Sequence, residues 1–521
     1  MPTLNYLFAI DIGDSNAHVS YVDESGRANM VSNYEGFSST PSVINFEESG
    51  RIIVGQIAKE MISIDPSNTA FSMKRDIASG KPIEGTQGKP AEEAYSYIFK
   101  KLAGDVEKGL GLGLRGAVLT CPAYFSMIER NALKNAAYIA GITVENIIVD
   151  PIAIAFAFAM SVGELPSRVL IVDIGSAKTE ASIVAFEGDK ARIVASKALQ
   201  NLAGNEYDLA AASYLAEIFQ KQTNRTSDLD EFESIQLALA AEKAKIALSV
   251  RTEVPVLINL DGSTTRMELS RRAFEGITSH LTSEIALLAQ EACRMDDDGP
   301  AITTMLLTGS HARMPAIARS MSSAFPNMAI RIFDPDESAA KGAAFYASTF
   351  AKELDGNYAK TEIASPRGSR FTYDIKALKG YCLKVISSSR NNGNQFKYKS
   401  LIGMGDPILG SSITVSSRFG TAEQNQSNAE IVVYETDSAN DLQTSINTNP
   451  LGTATLHLPG NLPYNSPLLV EFTLSRDGIL TVGGKDLTSG AKFEGSLDAY
   501  NIMSDNDVEA LRVSLEDVEV E

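Results

Sequence analysis

The 521-residue chain holds 46 Lys and Arg against 65 Asp and Glu, a net charge of −19, with 44% apolar and 21% charged residues. At roughly 150 residues per domain, this length makes three or four folding units with ample core. An acidic surface repels phosphate backbones and anionic lipid, which argues against nucleic acid and membrane surfaces as partners. Cys121, Cys293 and Cys382 are odd in number, far apart and without CxxC spacing, which argues against a disulfide framework and fits a reducing compartment. The N-terminal MPTLNYLFAIDIG has no basic stretch before its apolar residues, and the longest apolar run, 152–160, is about half a membrane span. The expected location is cytoplasmic.

In chain order, residues 1–355 mix short β-rich runs (7–12, 117–120, 169–174, 305–308) with Ala-rich helical stretches such as 132–140 and 235–248, an α/β pattern. A polar stretch, 356–374, reads as a linker. Over 375–497, Ser, Thr, Asn and Gly separate short alternating strands (412–416, 431–434, 468–474, 479–482), as in a β-sandwich, and Asp477-Gly478 supplies a hairpin turn. In the tail, 498–521, Ser504 is an N-cap with Asp507 three residues on, and Val508, Leu511 and Leu515 follow at helical spacing.

The most informative feature is an internal repeat. Asp11-Ile12-Gly13-Asp14-Ser15-Asn16, running into Val19-Ser20-Tyr21-Val22, is echoed by Asp173-Ile174-Gly175-Ser176-Ala177-Lys178, running into Ala181-Ser182-Ile183-Val184. Each copy describes a β-hairpin with a glycine tip. Backbone N–H groups at such a tip can hold an anion, and the neighbouring Asp a hydrated Mg²⁺. Two facing tips would make a phosphate clamp between two related lobes.

These hairpins resemble the phosphate loops of the actin, hexokinase and heat-shock ATPase superfamily. Further segments narrow the resemblance to the 70-kDa heat-shock chaperones: Thr120-Cys121-Pro122-Ala123-Tyr124-Phe125 with Arg130, Glu242-Lys243-Ala244-Lys245 with Ser249, Thr308-Gly309-Ser310 with Arg313, and Asp334-Pro335-Asp336-Glu337 before Gly342. The resemblance implies an α/β actin-like two-lobed ATPase domain followed by an all-β sandwich that binds peptide. It assigns Asp11 and Asp173 to the surroundings of Mg²⁺, and Lys74, Asp150 and Asp173 to catalysis around the attacking water. Gly13, Asp14, Ser15, Gly175, Ser176, Lys178 and Gly204 fall at the phosphate side of the ATP or ADP site. Glu242, Lys245, Ser249, Gly309, Ser310, Arg313 and Asp336 fall at its adenosine side. The family also implies K⁺, a relay of nucleotide state through Pro122 and Arg130, and an apolar peptide pocket near Leu383, Ile386 and Val415. Its partners would be unfolded or extended apolar polypeptide, a J-domain co-chaperone and a nucleotide-exchange factor.

Three departures bear on activity. Asp14 replaces a neutral hydroxyl residue and should oppose a bare triphosphate, since like charges at about 4 Å repel by roughly 4 kcal/mol at an effective dielectric of 20. Ser176 and Ala177 replace glycines, and Lys178 replaces a hydroxyl. Lys178 could neutralise phosphate, or it could pair with Asp14 across the cleft and hold the lobes together without ligand. Asp150 stands one methylene short of the family's Glu, a displacement that is costly for in-line attack. The polar linker implies loose coupling between the halves, and the residues after Leu497 are too few for the family's helical lid. The expectation is an ATP-binding chaperone with weak or impaired hydrolysis, the alternative a non-catalytic scaffold or co-chaperone that binds nucleotide poorly or not at all.

Overall fold

The fold is that of a computed structural model, which describes residues 5–188, 190–260, 263–296, 299–352, 358–359, 372–388, 394–436, 450–500 and 502–521. The repeat reappears in the sheets. In the first lobe, Ala28–Met30, Asn16–Val22, Phe8–Ile12, Gly116–Cys121 and Thr143–Val149 lie side by side in that order. In the second, Lys190–Gln200, Lys178–Glu187, Arg168–Ile174, Thr304–Thr308 and Ala329–Ile332 repeat the arrangement. Each hairpin is antiparallel, and each first hairpin strand then pairs in parallel with a later strand. Parallel pairing requires a helical crossover that covers the sheet, which is why these central strands are apolar on both faces.

Two buried clusters form, one around Phe8, Ile10, Tyr95 and Phe99 that extends to one face of the second lobe's sheet at Val169 and Ile171, the other within the second lobe around Leu170, Val172, Tyr207 and Phe274. The apolar helix Asp150–Ser161, buried almost throughout, packs on the helix Ser338–Phe350 between the two sheets. Among the described residues no helix is long and apolar enough to cross a membrane. Cys121 and Cys382 are buried, and burial pushes each thiol up to about 11.

The C-terminal strands form one eight-stranded antiparallel sheet, running from Asn394–Ile402 to Ser412–Gly420 and closed around Leu383, Val433, Val470 and Phe472. Gly478 takes the expected turn with φ of 83°. This sandwich seats on the first lobe. Met127, at the start of the helix Met127–Ile139, is buried in the sandwich core, its N–H donates to Glu435 at 3.0 Å, and Lys134 pairs with Asp477 at 2.8 Å. Of the linker expected at 356–374, most lies outside the described residues. Its end, Thr372–Tyr373, pairs in parallel with the edge of the second lobe's sheet, and the Tyr373 ring packs 5.4 Å from Tyr346.

The closing helix, Asp505–Leu515, has the expected Ser504 cap on the Asp507 N–H. It lies against the helix Met127–Ile139 of the first lobe, with Val508 and Leu515 in that lobe's core. Beyond it Val520 bridges Ile52, and the Val54 N–H donates to the Glu521 carbonyl at 2.7 Å.

Candidate functional site

The two hairpin tips close in the same way, the Gly13 N–H donating to the Asn16 carbonyl at 2.8 Å and the Gly175 N–H to that of Lys178 at 3.0 Å. Both glycine N–H groups are therefore spent inside the turns. A side chain on Gly13 would put a Cβ 2.5 Å from the Asn16 carbonyl oxygen, so the tip needs glycine. Gly309, with φ of 80°, lies so close to the second hairpin that a Cβ there would stand 2.3 Å from the Ile174 carbonyl oxygen.

The tips face each other across a cavity of about 550 Å³. Asp11, Gly13, Asp14, Ser15 and Lys74 line it from the first lobe, beside Pro122 and Asp150. Asp173, Gly175, Ser176, Lys178 and Gly204 line it from the second. Glu242, Lys245 and Ser249 form one distal wall, Gly309, Ser310, Arg313 and Asp336 the other. Arg130 lies outside it. It is buried at the seat of the sandwich, donates from Nε to the Phe125 carbonyl at 3.1 Å, and borders a second cavity shared with Tyr373, Tyr381 and Gly478. Leu383 is wholly buried in the sandwich core and offers a peptide no surface here; Val415 is half-buried, and the Ile386 side chain lies outside the described residues.

At the centre of the cleft stands Lys178. Its ammonium is 2.9 Å from Asp150 Oδ2, 3.0 Å from Glu180 Oε2 and 3.6 Å from Asp173 Oδ2, and sits 5.7 Å above the Tyr124 ring. Strand geometry explains the cluster. Lys178 and Glu180 are two residues apart and share a face, while Glu180 stands directly opposite Asp173 in the hairpin register. Two acids opposite one another are destabilising unless a cation lies between them, and Lys178 is that cation.

Of the two options left open for Lys178, the pairing with Asp14 is not what forms. Asp14 Oδ1 instead accepts the Lys74 backbone N–H at 3.2 Å, and Lys178 crosses the cleft to Asp150 at the start of the helix that follows the first lobe's last strand. Lys74 turns its own ammonium to the Ile12 carbonyl, and Asp11 accepts from the Thr120 hydroxyl at 2.6 Å.

Burial raises the Asp150 carboxyl, but Lys178 and Lys74 outweigh it and hold the group below the usual carboxylate range. Burial also opposes charge on Lys178, and its three acids outweigh that, holding the ammonium well above an ordinary lysine. Asp173 is pushed up to about 6, by burial first and then, against the pull of Lys178, by Asp150, Glu180 and Asp11.

These residues do not fit a divalent metal. Mg²⁺ keeps several of its waters and takes only one or two carboxylates, but here Asp150 and Asp173, the carboxylates nearest the phosphate side, already face an ammonium. A divalent ion about 4 Å from that ammonium would be repelled by roughly 8 kcal/mol at an effective dielectric of 20. Among the described residues, no group of three or more His, Cys, Asp or Glu side chains is arranged to hold a metal ion.

The distal half is also internally paired. Lys245 donates to Asp208 at 2.5 Å and to the Gly204 carbonyl at 3.0 Å, Arg313 pairs with Asp336, and Lys59 reaches across the cleft to Glu242 at 2.8 Å. His311 packs on Tyr207 with ring centroids 3.9 Å apart, and burial first, then Lys245, pushes its imidazole well below the ordinary histidine value. The sequence reading missed Glu180, Lys59, Asp208 and Thr120. The i, i+2 spacing from Lys178 on one strand could have found Glu180; the others are long-range partners that no local signal marks.

A family model described as Hsp70 protein matches residues 7–87 and 80–387. The chain is 28% identical over 516 residues to the Chaperone protein DnaK of Thermosipho africanus, covering 96% of this chain and 81% of that protein. It is 29% identical over 517 residues to the Chaperone protein DnaK of Thermosipho melanesiensis, covering 96% and 82%. With that of Thermotoga neapolitana it shares 29% over 521 residues, covering 97% and 82%.

Proposed function

The chain belongs to the Hsp70 family, and on that footing we propose that it is a polypeptide-binding chaperone whose two-lobed half takes an adenine nucleotide and hydrolyses it weakly. The observation that carries the weak-hydrolysis reading is the Lys178 ammonium locked among Asp150, Glu180 and Asp173. Attack on a phosphate by water depends on placement of the nucleophile and on stabilisation of charge. Asp150 spends Oδ2 on Lys178, and Lys74 spends its ammonium on the Ile12 carbonyl. The residues assigned to water and phosphate thus hold each other.

The proposed client is extended apolar polypeptide, bound by the sandwich, with a J-domain protein and an exchange factor as accompanying partners and the cytoplasm as the setting. Pro122 and Arg130 are the proposed relay, since the segment they bound runs from the cleft to the sandwich through Tyr124 and Met127. A second reading, a non-catalytic scaffold, is supported by the ion pair that seats the sandwich, Lys134 with Asp477, which needs no ligand.

Single-turnover hydrolysis of radiolabelled ATP and anisotropy of a fluorescent apolar peptide, with and without nucleotide, test both. The chaperone reading expects peptide binding whose affinity shifts with nucleotide, and slow but measurable turnover. Peptide binding indifferent to nucleotide, with no turnover, would leave the scaffold. No peptide binding under any condition would remove the chaperone reading.

A further inference from the structure

The second cavity, of about 760 Å³, lies where the two lobes and the sandwich meet. All three units give it apolar wall: Ile147 from the first lobe, Ile193 from the second, Ile408 and Leu474 from the sandwich. Its charge runs against that of the molecule. In a chain of net charge −19, five cations, Arg130, Lys197, Lys376, Lys379 and Arg476, line this cavity against one acid, Asp374, which is itself paired with Lys190. The cleft shares Tyr124 and Phe125 with it and has the opposite balance, eight acids against five cations.

Arg130 carries the inference. It is only 5% exposed, and its Nε donates to the Phe125 carbonyl at 3.1 Å. Among the described residues its two terminal nitrogens have no hydrogen-bond partner, and no carboxylate oxygen stands within 4 Å of them. Glu435, the one acid whose charge reaches it, accepts the Met127 N–H instead. The terminal nitrogens are not sealed inside the protein, and the residue lines the cavity. A guanidinium withdrawn from water without an anion beside it is costly. Its planar fork matches a carboxylate through two parallel hydrogen bonds. The turn of the sandwich steadies that fork, since a Cβ on Gly478 would stand 3.1 Å from Arg130 Cδ.

We propose that this cavity binds a small apolar carboxylate, the anion held by Arg130 and the hydrocarbon body lying along the isoleucine and leucine wall. The volume suits it, since cavities of roughly 300–1,000 Å³ enclose ligands of drug size. A molecule seated there touches both lobes and the sandwich at once, so it favours the seated arrangement over a released one. The site stands apart from the cleft and does not rest on what fills the cleft.

Calorimetric titration of the full chain with decanoate, decanol and acetate tests this. Decanoate should bind at one site per chain and at least tenfold tighter than decanol, which has the body without the charge, or acetate, which has the charge without the body. No decanoate binding, or a margin below tenfold over either control, overturns the proposal. Arg130→Gln should weaken decanoate at least tenfold and leave decanol within threefold; unchanged decanoate affinity in the folded variant puts the anion elsewhere and overturns it. Because Arg130 also sits at the seat of the sandwich, Ile193→Trp supplies a second variant, which fills the cavity from the opposite unit and keeps the cation. It should abolish decanoate binding, and retention of the parent affinity overturns the proposal.

Discussion

His311 gives the cleft a pH response whose sign follows from its burial. The folded ring resists protonation because burial, and then the Lys245 charge, oppose it. The unfolded chain has no such opposition and takes the proton near pH 6.5. Stability from this group is therefore complete above about pH 6.5 and is lost as pH falls below it, by up to about 1.4 kcal/mol per unit. Asp208 acts in the opposite direction. Its carboxyl, pushed up to about 6 chiefly by burial against the pull of Lys245, takes a proton in the folded state before the unfolded chain does, so it adds stability as pH falls from about 6 to about 4. The two partly cancel in the unaltered protein. Replacing His311→Ser removes one side, so urea unfolding at pH 7 and pH 5 should show the variant gaining roughly 2 kcal/mol on the parent between the two. A constant difference would mean that the folded ring protonates as freely as the unfolded one.

At the scale of elements, the helix Met127–Ile139 joins the halves, because its first residue belongs to the core of the other unit. Met127 is buried among sandwich residues, while Leu133, Ala136 and Ala137 belong to the first lobe. Truncation of a buried Met costs about 2–5 kcal/mol, and here the loss falls on the contact between units. Met127→Ala should therefore release the sandwich, raising the radius of gyration in small-angle scattering while both cores stay folded by circular dichroism. A compact variant would mean that the ion pair of Lys134 with Asp477 and the bond from the backbone N–H at position 127 to Glu435 are enough to hold the sandwich. This junction also marks where sequence reasoning stops. The hairpins at Asp11 and Asp173 were legible because a glycine tip and period-two alternation are local and appear twice. The cap at Ser504 and the turn at Gly478 were legible for the same reason. The partner of Lys178 was not, since Asp14 and Asp150 are both acids near the cleft and only the placement of the helix Asp150–Ser161 decides between them. Nor was the path of 372–374, where a polar segment gains order by pairing with a sheet edge and by packing one ring, Tyr373, on Tyr346 and Phe156.

Across the whole molecule, the chain's last described segment returns to its first lobe. Val508 and Leu515 enter that lobe's core, Lys100 donates to the Leu515 carbonyl at the helix end and to that of Val518 at 3.3 Å, and the Glu521 N–H donates to the Ile52 carbonyl at 3.1 Å. A cation at the end of a helix satisfies carbonyls that the helix leaves unpaired. Burying a Val and a Leu is worth about 1.5–3 kcal/mol each, a large share of the roughly 5–15 kcal/mol by which a domain is stable. Deleting residues 503–521 should thus lower the first lobe's unfolding temperature by about 10 °C, at roughly 2–4 °C per kcal/mol for a unit of this size, as read by scanning calorimetry. The same deletion separates a strut from a cover. A segment that covered the sandwich would slow peptide release, and its loss would speed dissociation many-fold. One that braces the first lobe leaves the dissociation rate of a fluorescent apolar peptide within twofold of the parent, measured below the melting temperature of either protein. Faster release at unchanged thermal stability would place the segment's work on the sandwich and against the packing of Val508 and Leu515.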